Sequence, residues 1–168
     1  MIEYIIPIGG LSVGDHRYTY KIDDTFFSNF EYFDTDKGML DLEIDLVKES
    51  NLIDFKFHFK GWVELVCDRC LDKFNMNIED NFRLIVNYGE TFEEVSDEVI
   101  TIPTTEKNID LSQYIYEYIN LMFPIKKAHP DDEDGNSTCN KEMTDRLHKY
   151  SEQKSDPRWD ALKNIKLD

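Results

Sequence analysis

Two cysteines, Cys67 and Cys70, lie between two long stretches in which apolar and polar residues alternate. Apolar residues recur at alternate positions through residues 53–65, with a break only at Gly61, and again through residues 74–88. A period of two over this length predicts two half-buried strands. The cysteines therefore occupy the connection of a predicted antiparallel hairpin, where a tight turn directs two thiolates at one metal ion, as in a zinc knuckle. A redox Cys-x-x-Cys pair would instead open a helix after a strand.

A tetrahedral structural zinc ion needs four ligands, and this pair supplies two. The remaining candidates are the third cysteine and the four histidines: Cys139, His129, His16, His58 and His148. Cys139 and His129 share one predicted loop, where no regular structure holds them elsewhere, whereas His58 falls on the polar register of its strand and is expected to be solvated. The predicted structural zinc site therefore consists of Cys67, Cys70, His129 and Cys139. The alternatives are that the cysteines are buried as small hydrophobic residues and that His129 is simply exposed.

The composition is that of a soluble globular protein, with 168 residues of which 40% are hydrophobic and 32% charged. This length suits one domain with appendages. The sequence has no stretch of about 18 apolar residues and no basic-then-apolar leader, so we expect a cytoplasmic protein without a membrane span or secretory signal. Three cysteines, an odd number, argue against a secreted disulfide framework and favour metal binding.

The net charge of -16 is unevenly distributed along the chain. Residues 1–139 carry 12 Lys and Arg against 29 Asp and Glu, a balance of -17, while residues 140–168 carry 7 against 6, a balance of +1. Nucleic-acid binding needs clustered Lys and Arg, so the acidic part favours basic protein partners and any contact with phosphate is expected to use the tail. The predicted domains are a β-rich domain, residues 1–139, and a helical C-terminal tail, residues 140–168.

Shorter patterns complete the predicted fold. Alternation predicts strands near residues 5–8, 18–22, 40–46 and 99–102, and an aspartate precedes a short helical aromatic cluster near residues 24–30. The predicted class is α+β: an antiparallel β-sheet or open barrel-like core that carries the Cys-x-x-Cys knuckle on a long hairpin, with one packed helix and a helical C-terminal tail.

The second half of the chain alternates loops and helices. Residues 90–98, with five carboxylates, are predicted to form an acidic loop. Asp110 is predicted to cap the packed helix, which Pro124 ends. A loop follows, and a second helix is expected over about residues 141–150.

The tail contains one further helix signal, because Asp156 and Pro157 combine a capping residue with proline at the first helical position. Trp159, Leu162 and Ile165 give this helix an apolar edge that a lone short helix cannot bury. The edge is therefore expected either to dock on a partner or to pack on its own domain.

Other clusters are weaker candidates for chemistry. The acidic run over residues 131–134 lacks the oxygen spacing of a calcium loop and is expected to be solvated. The phenylalanines of the long strands could form a base-stacking platform, but the charge around them is chiefly acidic, so we predict that they form a core. The sequence shows no glycine-rich phosphate loop, nucleophile elbow or oriented Ser/His set, and we expect a protein that is not an enzyme.

Several motifs together resemble those of a known family. They are the segment from Val66 to Leu71 with its two cysteines, the helix opening Ile109-Asp110-Leu111, Pro124, His129 and Cys139. In this order they look like the YceD family of large ribosomal RNA subunit accumulation proteins, over roughly residues 40–140. The segment from Asp156 to Leu162 resembles the tail of the Bacteroidetes-like members of that group.

The resemblance implies a role in accumulation or assembly of the large ribosomal subunit and its RNA. On this hypothesis the protein is a zinc-stapled acidic binding module that contacts a large-subunit precursor through a basic ribosomal protein, with direct RNA contact through the tail as a second route and with neither a membrane nor a small-molecule substrate as a partner. The predicted partner-binding residues are Arg158, Trp159, Leu162 and Ile165. The alternative is a thiol-based redox- or metal-sensing regulatory protein, which would need exposed cysteines of low pKa.

Overall fold

The computed structural model describes residues 4–30, 33, 35–151 and 158. The strands within these ranges are β1 Ile5–Ile6, β2 Gly14–Ile22, β3 Gly38–Lys48, β4 Leu52–Val66, β5 Lys73–Gly89, β6 Glu93–Ser96, β7 Val99–Pro103 and β8 Ile109–Asp110. The helices are α1 Asp24–Phe27, α2 Ser112–Leu121 and α3 Lys141–Ser151, with a 3-10 turn at Ile8–Gly10. Within the described part of the chain, no helix is both long and apolar enough to cross a membrane.

Six strands form one open sheet in the order β2-β3-β4-β5-β7-β6, and β1 pairs with β8 in a separate two-stranded sheet. The predicted α+β class is therefore confirmed, with an open sheet in place of a closed barrel. The sheet is not wholly antiparallel, because β7 pairs with β5 in parallel, with Ile85 opposite Val99. The short connection between β5 and β7 holds β6, which returns antiparallel along β7.

The core lies on one face of this sheet and follows from the alternation in β3 and β4. Buried apolar residues lie directly opposite one another across these strands, as with Leu42 and Phe59 or Ile44 and Phe57. Such cross-strand pairs are the main source of sheet stability. The predicted assignment of the strand phenylalanines to a core, not to an exposed stacking platform, is confirmed for Phe55, Phe57 and Phe59, all of which are buried.

Helix α2 covers part of the same face. Its N-terminus is fixed because the Asp110 carboxylate accepts a hydrogen bond from the Ser112 backbone N–H at 2.9 Å. The ring of Tyr118 stacks on Phe82, with centroids 4.5 Å apart, and meets Phe57 edge-on. An aromatic contact of this kind contributes about 1 kcal/mol beyond area burial, so the helix is held on the sheet by rings as well as by aliphatic side chains.

The opposite face of the sheet carries ion pairs that span neighbouring strands. Arg17 pairs with Asp45, Lys60 with Glu79, and Arg83 with Asp54, at 2.6 to 2.9 Å. Except for Asp54, which is 16% exposed, these side chains are about half exposed or more, so the pairs add little to stability. Their effect is to keep this face polar and wet.

The described chain divides into two compact units. The first consists of residues 1–65 and 73–127, and the second of residues 66–72 and 128–168. The predicted boundary between residues 139 and 140 falls inside the second unit. A separate domain formed by the tail, residues 140–168, stays a prediction. The cysteine turn and the loop after α2 belong to the same unit.

One sequence-based expectation about local structure was wrong. The acidic segment over residues 90–98 was expected to be a loop, but it contains β6, which gains its regular structure from pairing with β7. All four residues of β6 are exposed, so the strand has no alternation of buried and exposed positions by which it could be recognised. The helix expected over residues 141–150 is confirmed as α3, while the helix expected from Asp156 lies outside the described residues.

We expect the Gly61→Ala variant to be destabilised by about 3 kcal/mol, because overpacking a tight contact forces the backbone to move. Gly61 lies opposite Leu40 in the β3–β4 pair, and a Cβ at this position would overlap the carbonyl oxygen of Met39. The matched control is Gly10→Ala, where a Cβ meets nothing within 4 Å. Urea unfolding measures both variants, and equal stability of the two would contradict this account of the β3–β4 contact.

Candidate metal centre

The first two predicted ligands lie on the turn that joins β4 to β5. Within this turn the Cys67 N–H donates to the Asp72 carbonyl and the Leu71 N–H donates to the Cys67 carbonyl, both at 2.9 Å. Leu71 closes the turn with a φ of 64°, a left-handed conformation that costs a non-glycine residue about 1 kcal/mol. The turn thereby places the side chains of Cys67 and Cys70 on one side, as predicted from their spacing.

The other two predicted ligands lie at the two ends of one loop. Asp131 and Ser137 form a β-bridge within it, and the Thr138 hydroxyl donates to the Pro130 carbonyl at 2.6 Å. These cross-links bring the chain back on itself. His129 and Cys139, ten positions apart, are thereby placed side by side.

The tip of this loop is held by one carboxylate. Asp132 accepts hydrogen bonds from the backbone N–H groups of Asn136 at 2.7 Å and Asp134 at 3.1 Å. The N–H group of Asn136 is the main cause of the lowered pKa of Asp132. The acidic run therefore shapes the loop that presents His129 and Cys139, and its side chains are exposed as expected.

The four predicted side chains meet at one place, where their donor atoms all lie within 4.8 Å of one another. The Cys67 and Cys139 sulfurs are 3.7 Å apart, and His129 Nδ1 lies 3.5 Å from the Cys70 sulfur and 3.8 Å from the Cys139 sulfur. With Zn–S bonds of 2.3 Å and Zn–N bonds of 2.0–2.1 Å, the edges of a coordination tetrahedron are about 3.8 Å between sulfurs and about 3.6 Å between sulfur and nitrogen. These three of the six separations fit the edges of a tetrahedral Cys3His site.

Burial sets this cluster apart from its surroundings. Cys67 is 0% exposed, Cys70 2% and Cys139 8%, and His129 is partly buried. The three cysteines are the only buried residues among the described residues of the second unit, and helix α3 buries none of its side chains. The described part of this unit therefore has no hydrophobic core apart from the cluster.

The electrostatics of the cysteine pair are asymmetric. Burial opposes ionisation of Cys67, but backbone N–H groups of Cys70, His129 and Arg69 donate to its sulfur and lower its pKa to about 6. Burial raises the pKa of Cys70, and the neighbouring Cys67 sulfur raises it further. The site thus accommodates one negative charge through backbone dipoles, whereas a second thiolate requires a cation nearby.

Contacts outside the cluster connect the turn to the loop. The Asn140 side-chain amide donates to the Asp72 carboxylate at 3.0 Å, and Arg69 donates to the Ser137 hydroxyl at 3.4 Å. Asn140 also caps α3, because its side-chain oxygen Oδ1 accepts a hydrogen bond from the Glu142 N–H at 3.1 Å. Sequence reasoning missed Asp72 and Asn140. For Asn140 the available signal was its position directly after Cys139 and before a predicted helix, whereas Asp72, two positions after Cys70, had no comparable signal.

The remaining histidine candidates lie elsewhere. His16 contacts the Ser12 carbonyl at 2.9 Å, and His58 contacts Asn81 at 2.9 Å on the polar face of the sheet. His148 is exposed near the end of α3. None of these three is part of the cluster.

The predicted partner-binding residues are only partly described. Arg158 is exposed. Trp159, Leu162 and Ile165 lie outside the residues that the structure describes.

Comparison with protein families gives one match. The family model described as "Large ribosomal RNA subunit accumulation protein YceD" matches residues 55–166, which include all four residues of the cluster. No curated protein and no solved structure matches the chain.

Proposed function

Because the chain belongs to the YceD family of large ribosomal RNA subunit accumulation proteins, we propose that it is a non-enzymatic factor in the accumulation or assembly of the large ribosomal subunit. The family description gives the process. We propose that each unit contributes in its own way to this process. The second unit is held together by a metal ion, and the first presents an acidic sheet.

The proposed metal is a structural zinc ion held by Cys67, Cys70, His129 and Cys139. The observation that carries this proposal is that the three cysteines are the only buried residues in the described part of their unit, with the partly buried His129 beside them. A small unit without an apolar core needs another source of stability, and a structural zinc ion supplies about 10 kcal/mol or more of apparent binding energy. Three sulfurs and one imidazole are the ligands that zinc favours, and four protein ligands leave no open position for catalysis.

A structural role fits the geometry better than a sensing role. A thiol-based sensor needs a reactive thiolate that solvent and oxidants can reach. All three cysteines are buried here. The lowered pKa of Cys67 arises from backbone N–H groups that donate to its sulfur, an arrangement that also stabilises a metal-bound thiolate.

The proposed partner of the acidic part of the chain, residues 1–139, is a basic protein. The balance of -17 over residues 1–139 repels RNA over a screening length of about 8 Å at physiological salt. The same field attracts lysine- and arginine-rich protein segments and speeds their encounter. Large-subunit ribosomal proteins with basic extensions are the class that this surface would recognise.

The proposed role of the tail is to contact the ribosomal particle. Residues 140–168 are the part of the chain whose charge does not oppose phosphate. Arg158, Trp159, Leu162 and Ile165 are the residues proposed for this contact, with the arginine for phosphate and the apolar three for a docking surface.

We expect the purified protein to contain about one zinc ion per chain, bound by three sulfurs at about 2.3 Å and one nitrogen at about 2.0 Å. Mass spectrometry under native conditions gives the stoichiometry, and X-ray absorption at the zinc edge gives the ligand shell. His129→Ala should lower the zinc affinity at least about tenfold because one of four bonds is lost. His148→Ala, a histidine outside the cluster, is the matched control. A shell with fewer than two sulfurs, or equal affinity in the two variants, would contradict the site.

We also expect the tagged full-length protein to co-sediment with large-subunit precursors in a sucrose gradient. Cys67→Ser should reduce this co-sedimentation because it removes a ligand of the proposed zinc ion, while His148→Ala should leave it unchanged. The amount of large-subunit ribosomal RNA is measured in the same gradient fractions, from cells that depend on each variant. If wild-type protein stays at the top of the gradient and its removal leaves large-subunit RNA at its normal level, the proposed function is wrong.

A further inference from the structure

A groove of about 690 Å³ lies within the first unit, between strand β6 with the start of β7 and helix α2. Three carboxylates line it: Glu94 on β6, Asp97 in the turn after it, and Glu117 on the helix. No Lys, Arg or His is among the lining residues. The groove therefore has a negative potential supplied from both of its walls.

Aromatic and apolar surfaces form the rest of the groove. The partly buried Tyr114 lines it from α2, the buried Tyr118 and Ile100 also line it, and Leu121 is 70% exposed at the end of the helix. The ring of Tyr114 beside carboxylates suits a side chain with a long apolar stem and a cationic head.

The carboxylates act on the same place in the groove. Burial raises the pKa of Tyr114, and the charges of Glu94 and Glu117 raise it further. Burial also raises the pKa of Tyr118, with Tyr114 and Glu117 adding to the increase. Acidic groups from a strand and from a helix therefore converge near the same tyrosine hydroxyl, where they would stabilise a cation.

Protection of a sheet edge explains only part of this arrangement. Strand β6 is the last strand of the six-stranded sheet, and charged residues on an edge strand discourage pairing with other chains. That would account for Glu93 and Glu94. It does not account for Glu117 on the facing helix or for the tyrosines beside it.

We propose that this groove binds an extended, arginine-rich segment of a protein partner. The inference rests on the proposed function, in which a basic ribosomal protein is the partner, and it locates the recognition surface. Arginine fits because its planar guanidinium pairs with carboxylates through two hydrogen bonds and also stacks on aromatic rings. An extended segment fits because β6 has a neighbour on one side only in the strand order, so its other edge is suited to backbone pairing with an added strand.

The test measures binding of fluorescein-labelled deca-arginine to the full-length protein by fluorescence anisotropy at physiological salt. The groove variant is Glu94→Lys with Glu117→Lys. The matched control is Glu49→Lys with Glu106→Lys, which makes the same change in net charge at exposed carboxylates outside the groove. We expect Kd to rise about tenfold or more in the groove variant and less than about threefold in the control, because close charge pairs outweigh the general field. An equal rise in both variants would assign binding to net charge and overturn the proposal.

Two further variants keep the test valid if the double reversal fails to fold. Glu94→Gln with Glu117→Gln removes the charge without adding a repulsive one, and should raise Kd at least about threefold. Tyr114→Leu retains all carboxylates but removes an aromatic face, and should raise Kd about threefold through loss of the cation–π contact. Unchanged binding in both variants would overturn the proposal. An RNA decamer that binds as tightly as the peptide would overturn it as well.

Co-sedimentation with large-subunit precursors separates this proposal from the proposed function. If wild-type protein binds deca-arginine through the groove but does not co-sediment, and its removal leaves large-subunit RNA at its normal level, the function is contradicted and the groove assignment stays in place. Wild-type protein that co-sediments, while groove and control variants bind the peptide equally, would contradict only the groove assignment.

Discussion

We propose that the second unit depends on one interaction, the convergence of three sulfurs and one imidazole nitrogen. Separations of 3.5 to 3.8 Å between donor atoms match the edges of a tetrahedron around one zinc ion. In the described part of this unit, no other residue is buried. The turn, the loop and the start of α3 are each shaped by local hydrogen bonds, but such exposed bonds contribute only about 1 kcal/mol apiece. The cluster is therefore the part of the unit able to supply cooperative stability.

The first unit is stabilised in a different way. Its sheet contains strands of 15 and 17 residues, β4 and β5, and a continuous cluster of buried aliphatic and aromatic side chains covers one face of the sheet. A core of this kind is stable without a metal ion. It provides a rigid support for the acidic groove between β6 and α2, where loss of metal is not expected to act. The two proposed properties therefore depend on different interactions: metal binding stabilises the second unit, whereas the hydrophobic core of the first unit supports the groove that binds a basic segment.

The sequence predicted those features that depend on local pattern. Alternation located β4 and β5, and the spacing of Cys67 and Cys70 placed them on the turn between the strands. The position of His129 on one predicted loop with Cys139 made it the candidate fourth ligand. Features that depend on long-range pairing were not predictable in the same way. The parallel pairing of β7 with β5 is one of these features. Strand β6 was missed for another reason, because its own composition is that of an exposed acidic loop. The groove is formed by β6 and α2 together. The sequence therefore showed that its carboxylates are acidic residues, but not that they share one groove.

The central claim is that the thiol–imidazole cluster takes the place of a hydrophobic core in the second unit. Amide hydrogen exchange, followed by NMR on the full-length protein before and after removal of metal by a chelator, tests it most directly. The account predicts that amides of the second unit with defined hydrogen bonds, such as those of Cys67, Leu71 and Asn136, lose protection when metal is removed. Amides of β3 and β4 in the first unit should keep theirs. Protection of the second unit that is unchanged after complete removal of metal would contradict the claim.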